Sequence, residues 1–95
     1  METRVLRYFL ETAREGNITR AAEKLHITQP SLSRQLMELE KEVGKVLLIR
    51  GKRKVTLTED GLFLQKRVEE ILSLLDKTEA EQIFLQKIKE LVSQT

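Results

Sequence analysis

Apolar residues near the start of the chain recur every three or four positions, which is the spacing of amphipathic helices. This pattern predicts a first helix of about three turns that ends at Gly16. A short second helix follows, with Asn17 or Thr19 as its candidate N-cap. Two adjacent alanines in it allow a neighbouring helix to approach closely. The apolar positions are Val5, Leu6, Phe9, Leu10 and Ala13 in the first helix and Ile18, Ala21, Ala22 and Leu25 in the second.

A third helix is predicted between a candidate N-cap at Thr28 and a glycine suited to end a helix, Gly44. Pro30 falls in its first turn, where the missing N–H costs no intrahelical hydrogen bond. Its apolar residues form one narrow stripe, so the opposite face is left to other contacts. The stripe consists of Leu32, Leu36, Leu39 and Val43, and the opposite face carries Pro30, Ser33, Arg34, Met37 and Lys41, with Gln29 and Ser31 at the N-terminal end.

Two short apolar runs after the third helix, 46–49 and 55–57, predict a pair of strands joined as a hairpin. Four of the five residues between them are cationic, and such a tip can neutralise several phosphates of a nucleic-acid backbone. The alternative is a solvated turn, although clustered cations repel one another and are better tolerated beside a polyanion. The cations are Arg50, Lys52, Arg53 and Lys54.

A long fourth helix is predicted after Thr58, whose hydroxyl can cap it, with Glu59 and Asp60 near the positive end of the helix dipole. The apolar residues of this helix are spaced by four, three and four positions, which is the spacing of a coiled coil. We therefore expect this helix to hold two copies of the chain together. The predicted dimer seam consists of Leu64, Val68, Ile71 and Leu75.

Beyond Asp76 the phase of the apolar residues changes, so one straight helix cannot keep both stripes against the same partner. Two interpretations stay open for this tail. The spacing of Thr78 and Glu81 fits a capping box that begins a separate helical segment, and the alternative is one unbroken helix. The apolar residues of the tail are Ala80, Phe84, Ile88 and Leu91.

The net charge of +2 conceals an uneven distribution of charge. Residues 1–58 contain twelve lysines and arginines against seven acidic residues, a net +5, whereas residues 59–95 contain five against eight, a net −3. The basic part is suited to contact with a polyanion, although a mixed charged surface also serves solubility alone.

The chain contains no cysteine and a single histidine, His26, which excludes disulfides and thiolate metal sites and leaves no set of residues for a catalytic triad. We therefore expect no enzymatic activity and no cofactor. The apolar runs are far shorter than the roughly 20 residues needed to cross a bilayer, so we expect a cytoplasmic protein without a membrane contact.

The second and third helices, joined by a tight turn at 26–27, have the layout of a helix-turn-helix, whose second helix enters the DNA major groove. In that position Gln29 can pair with adenine, and Arg34 can bind guanine through two hydrogen bonds. The small hydroxyls of Ser31 and Ser33 let the backbone approach phosphate. For each residue taken singly the alternative is a solvated helix face. The order of helix-turn-helix, basic hairpin and seam-bearing helix favours a dimeric winged DNA reader.

The longest ordered pattern in the chain runs through Leu6–Phe9, Asn17–Leu36 and Leu57–Gly61, with Leu39, Glu40, Gly44, Leu47, Arg50 and Arg53 at single positions between them. At these positions, over roughly the first three quarters of its length, the chain closely resembles the N-terminal domain of bacterial LysR-type transcriptional regulators. The resemblance implies a winged-helix fold and a dimer held by linker helices.

The same resemblance implies roles for particular side chains. Arg50 and Arg53 would contact the DNA backbone from the wing, and Thr28 and Ser31 would touch phosphate. The chain departs from the usual pattern at Leu48, where an aromatic residue is common, and we expect a change of packing there without loss of binding. The residues that the resemblance places in the groove are Gln29, Pro30, Ser33 and Arg34.

We therefore predict a mainly α fold with a winged helix-turn-helix over 1–58, its motif at 18–37 and its two-stranded wing at 46–57. A long linker and dimerisation helix with a helical tail is predicted over 59–95, with no effector domain. The expected function is sequence-specific transcriptional regulation by a homodimer on pseudo-palindromic double-stranded DNA, with no small-molecule effector in this chain. The alternative is a dimerising interaction module that sequesters a full-length regulator.

Overall fold

The computed structural model consists of helices and one antiparallel hairpin. It describes residues 2–76, 89–90 and 92–93. The predicted fold class, mainly α with a two-stranded wing, is confirmed. In chain order the elements are α1 (Thr3–Glu15), α2 (Ile18–Leu25), α3 (Gln29–Val43), β1 (Leu48–Arg50), β2 (Val55–Leu57) and α4 (Glu59–Asp76).

Side-chain caps set the starts of α2 and α3. The side-chain oxygen of Asn17 accepts a hydrogen bond from the backbone N–H of Arg20 at 2.9 Å, so the N-cap of α2 is Asn17 and not Thr19. Thr28 caps α3 in the same way, because its hydroxyl oxygen accepts from the N–H of Ser31 at 3.3 Å. Both helices therefore begin where local sequence signals place them.

The first three helices each end at a residue in the left-handed conformation. Gly16, His26 and Gly44 have φ values of 63°, 57° and 77°. The N–H groups of Gly16 and Gly44 donate to carbonyl oxygens in the last turns of their helices, at Thr12 and Glu40. Glycine adopts this conformation without a side-chain clash, so both glycines end their helices as predicted.

The apolar stripes of α1, α2 and α3 meet in one core, which the wing and α4 complete. Ala21 and Ala22 are buried at the centre of α2, where their small side chains let the neighbouring helices approach. Val68 and Leu72 of α4 are buried in the same core, so the long helix packs on the winged unit itself. The other buried apolar residues are Leu6, Phe9, Leu10, Leu32, Leu36, Leu39, Leu47, Leu48 and Val55.

The first strand of the wing begins later than the predicted run 46–49 and extends to Arg50. The cause is a side chain from α3. The carboxylate of Glu40 accepts hydrogen bonds from the backbone N–H groups of Leu47 and Leu48 at 2.7 and 3.3 Å. A side chain of α3, and not a neighbouring strand, therefore binds the backbone at this point. The paired residues of the wing are Leu48 with Leu57, Ile49 with Thr56 and Arg50 with Val55.

The start of α4 depends on a close backbone contact at Gly61. The hydroxyl of Thr58 accepts the N–H of Gly61 at 3.0 Å and donates to the carbonyl oxygen of Val46 at 2.6 Å. A Cβ atom at Gly61 would lie 2.1 Å from the carbonyl oxygen of Leu47. Only glycine lets α4 cross the segment before the wing at this distance.

The predicted dimer seam of α4 is divided between the interior and the surface. Val68 is fully buried in the chain's own core, and Leu64 is half-buried against it. Val68 therefore has no surface left for a partner chain, which corrects its assignment to the seam. Ile71 remains 47% exposed. The side chain of Leu75 lies outside what the structure describes.

Most of the predicted tail lies outside the described residues. The proposed capping box at Thr78 and Glu81 lies outside the described residues. The described parts of the tail, 89–90 and 92–93, are helical. The tail stripe of Ala80, Phe84, Ile88 and Leu91 also lies outside the described residues.

Candidate nucleic-acid interface

A turn of three residues, 26–28, joins α2 to α3 and forms the predicted helix-turn-helix. The left-handed backbone of His26 reverses the chain, and the N–H of Ile27 donates to the carbonyl oxygen of Ala22 at 3.0 Å. Thr28 then caps α3. Because both helices bury their apolar stripes in the core, the outer face of α3 is presented to solvent.

An open groove runs along this outer face of α3. The four residues that the resemblance places in the DNA groove lie together in it, and all except the half-buried Ser33 are exposed. Glu38 and Lys41, which carry opposite charges, lie toward the C-terminal end of the groove. The residues that line the groove are Gln29, Pro30, Ser33, Arg34, Met37, Glu38 and Lys41.

The start of α3 also carries the two residues predicted to touch phosphate. Thr28 is exposed, and its hydroxyl oxygen accepts from Ser31, so its proton is available for donation to an anion. Ser31 is half-buried one turn into the helix. The positive end of the helix dipole lies at the same place and favours a phosphate there.

The tip of the wing holds its predicted cations at the surface. Arg50, Lys52, Arg53 and Lys54 are all exposed, and the N–H of Gly51 closes the turn by donating to the carbonyl oxygen of Lys54 at 2.8 Å.

The wing is braced against the loop that precedes α2. The N–H of Val55 donates to the carbonyl oxygen of Gly16 at 2.9 Å, and the side-chain amide of Asn17 donates to the carbonyl oxygen of Arg53 at 3.4 Å. Asn17 therefore caps α2 and contacts the wing at once. The position of the wing tip is tied to the helix-turn-helix through the backbone.

A side-chain bond that the sequence did not predict joins the wing to α3. The guanidinium of Arg50 donates from Nη1 to the hydroxyl oxygen of Ser33 at 2.5 Å. Together with the bonds from Glu40 to the segment before β1, this places the wing beside the groove. No local spacing signals such a pair, because the two residues are 17 positions apart.

The outward face of α4 carries exposed apolar residues that the predicted seam omitted. Phe63 and Leu74 are 64% and 70% exposed, and Ile71 lies beside the line that joins them. Arg67 lies between them, with its guanidinium carbon 5.2 Å from the centre of the Phe63 ring and an ion pair to Glu70 at 3.1 Å. Positions 63, 67, 70 and 74 also have the spacing four, three, four, but the two middle positions are the charged Arg67 and Glu70.

An ion-pair cluster joins α2 to α1. Lys24 pairs with Glu15 and lies 3.8 Å from Glu11. The hydrogen bond and the charge of Glu15 raise the pKa of Lys24 above its ordinary value. The amine is largely exposed, so solvent screens the interaction and its contribution to stability is small.

Among residues 2–76, 89–90 and 92–93 no cluster of histidine and acidic side chains could hold a metal ion. In the same described residues no helix has the length and apolar character needed to cross a membrane. His26, the one histidine, lies at the end of α2 and is exposed.

The chain matches a known protein family over most of the region described above. The family model described as the bacterial regulatory helix-turn-helix protein, lysR family, matches residues 3–62. The HTH-type transcriptional regulator BsdA of Bacillus subtilis is 48% identical over 100% of this chain and 32% of its own length. The Hca operon transcriptional activator HcaR of Escherichia coli is 51% identical over 93% of this chain and 29% of its own length. The chain thus spans about a third of the length of these curated relatives.

Solved structures bound to DNA have the same fold. The complex of BenM_DBD with benA site 1 DNA superposes with a TM-score of 0.79 at 42% identity and covers 92% of this chain and 96% of that one. The CbnR_DBD complex with DNA gives a TM-score of 0.80 at 36% identity and covers 90% of this chain and 99% of that one.

Proposed function

Because the chain belongs to the lysR family of bacterial regulatory helix-turn-helix proteins, we propose that it binds double-stranded DNA sequence-specifically and regulates transcription as a homodimer. One observation carries this proposal. The groove-facing side chains of α3 and the cations of the wing lie side by side, joined by the hydrogen bond from Arg50 to Ser33. Base reading and backbone binding are therefore available to one duplex at once.

The base-reading part is assigned to the first half of α3, which enters the major groove. Arg34 is exposed and binds guanine through two hydrogen bonds, and Gln29 pairs with adenine through its amide. Pro30 and Ser33 approach the base edges beside them. Thr28 and Ser31 bind phosphate at the positive end of the helix, which fixes the helix in register on the duplex.

The backbone-binding part is assigned to the wing. Arg50, Lys52, Arg53 and Lys54 are exposed at a tip that is braced against the loop before α2. Each cation that neutralises a phosphate releases about one counterion, so affinity falls as salt rises. The basic balance of residues 1–58 and the acidic balance of 59–95 place this attraction on the winged part of the chain.

The dimer contact is assigned to the outward face of α4, formed by Phe63, Ile71 and Leu74 with Arg67 between them. This assignment keeps Ile71 from the predicted seam and sets aside Leu64 and Val68, which pack in the chain's own core. Leu75 stays a predicted member of the contact. The exposed apolar side chains of this face are stabilised when a second copy covers them. Two recognition helices then meet a pseudo-palindromic site about one helical turn apart.

The proposal is tested by selecting bound sequences from a random pool of duplexes. The affinity for the selected duplex is then measured by mobility shift at moderate salt. We expect two related half-sites about 10 base pairs apart and tighter binding to them than to a scrambled duplex. Equal binding to every sequence would contradict it. A chain that binds no duplex but forms mixed dimers with a longer regulator would favour the sequestering module.

We assign the protein no catalysed reaction and no cofactor, and place it in the cytoplasm.

A further inference from the structure

Two side-chain hydrogen bonds join α3 to the wing and to the residue before it, and the distance between the two bonds is the same along both segments. Glu40 accepts from the backbone of Leu47 at 2.7 Å, and Arg50 donates to Ser33 at 2.5 Å. Ser33 and Glu40 are seven positions apart, which is about 10 Å along a helix. Leu47 and Arg50 are three positions apart, which is about 10 Å along an extended chain. The segment from Leu47 to Arg50 therefore lies alongside α3 from Glu40 to Ser33, and the Arg50 guanidinium reaches Ser33.

The chemistry of arginine fixes the direction of this hydrogen bond. A guanidinium has five N–H donors and no acceptor, so the Ser33 oxygen can only accept from it. No other hydrogen bond of the Ser33 side chain is present among the described residues. The hydroxyl proton of Ser33 therefore remains available to a group that approaches from the groove.

We propose that Arg50 is a positioning residue that holds the Ser33 hydroxyl as a hydrogen-bond donor toward the base edge. Ser33 then favours base edges that carry an acceptor, such as O6 and N7 of guanine or O4 of thymine, over the amino group of cytosine. Covering the pair with DNA lowers the local dielectric and strengthens the bond. This inference rests on the proposed function and adds a specificity role for a wing residue otherwise assigned to phosphate.

The test compares base preferences, which a phosphate contact does not change. Selection from a random duplex pool is performed with the unmodified chain, Ser33→Ala, Arg50→Met and the double variant. Arg53→Met is the matched control, because it removes the same charge from the wing without a side-chain bond to α3. Both arginines are exposed, and thermal unfolding by circular dichroism verifies that each variant is folded.

We expect Ser33→Ala and Arg50→Met to weaken preference at the same base pair of each half-site, each by roughly fivefold, the effect of one hydrogen bond. The double variant should lose no more than either single variant, since both remove one interaction. Arg53→Met should lower affinity on every sequence and leave the preferences unchanged.

The inference is overturned if Arg50→Met lowers affinity uniformly, as the Arg53 control does, because Arg50 is then a phosphate contact alone. It is also overturned if the two single variants change different base pairs, or if their effects add. These outcomes leave the proposed function intact, provided that the unmodified chain selects a sequence. An unmodified chain that selects none overturns both.

Discussion

Helices α3 and α4 bury one face alike and differ in the other. Leu36 of α3 and Val68 of α4 are both fully buried in the common core. The outward face of α3 is mainly polar and presents Arg34, whereas the outward face of α4 presents Phe63 and Leu74. A polar face suits the edges of base pairs, and an apolar face suits a second protein surface. The two helices share the same periodicity, and their outward residues separate the proposed DNA-reading face from the proposed dimer face.

The two faces of α4 can be tested with one matched pair of substitutions. Val68→Asp places an unpaired carboxylate in the core, and the cost of more than about 4 kcal/mol should unfold a domain of this size. Ile71→Asp places the same group on the exposed face, so the chain should stay folded and become monomeric. Circular dichroism measures the fold, and analytical ultracentrifugation measures the mass.

A different result would move the dimer contact elsewhere. If Ile71→Asp remains dimeric while deletion of residues 79–95 yields monomers, the tail holds the dimer. If Val68→Asp stays folded and becomes monomeric, the predicted seam was correct and the buried face of α4 is the interface.

The contact between α4 and the segment before the wing should be nearly as sensitive. Gly61→Ala forces its Cβ against the carbonyl oxygen of Leu47 and should lower the free energy of unfolding by about 1–3 kcal/mol. Ser73→Ala on the exposed side of α4 is the control and should change that free energy by less than about 0.5 kcal/mol. Urea denaturation measures both. Equal stability of the two variants would mean that α4 shifts without cost.

The reading face of α3 is tested at Arg34. Arg34→Ala should weaken binding to the selected site by about 1–3 kcal/mol and relax preference at one base pair, because a bidentate contact is lost. Lys41→Ala, farther along the same groove, should leave the base preferences unchanged. Competition mobility shifts with substituted duplexes provide the measurement. An equal loss on all sequences would reassign Arg34 to a phosphate.

The smallest effect is expected at the wing. Arg53→Ala should reduce affinity on every duplex by a similar factor and lower the slope of log affinity against log salt by about one unit. Titrations at several salt concentrations measure the slope. A slope equal to that of the unmodified chain would show that Arg53 does not contact the backbone.

Signals within a few residues predicted the boundaries of the helices well. The end of α1 and both ends of α3 were placed by Gly16, Thr28 and Gly44, because capping and left-handed glycine act inside a single turn. The start of β1 was missed because Glu40, which is seven residues away on another element, holds the backbone there. Contacts between elements carry no signal in local spacing.

The seam of α4 shows a second limit of sequence patterns. Two rows of positions with the spacing four, three, four lie on that helix. One is apolar and runs through Leu64 and Val68, and the other has Phe63 and Leu74 at its ends and two charged residues between them. Periodicity identifies the rows but not the surface that each one meets. Packing against α1 and the rest of the core decides it, since that contact covers Val68 and leaves Phe63 and Leu74 at the surface.

The amino-acid sequence was sufficient to place the helix-turn-helix, the basic wing and the exposed Arg34, because capping residues, amphipathic spacing and a run of cations are properties of short segments. Only the tertiary structure showed that Val68 is buried, that Gly61 lies against the backbone of Leu47 and that Arg50 donates a hydrogen bond to Ser33. These three features join residues from different elements. Their geometry exists only once the helices and the wing have packed, and therefore no local pattern contains it.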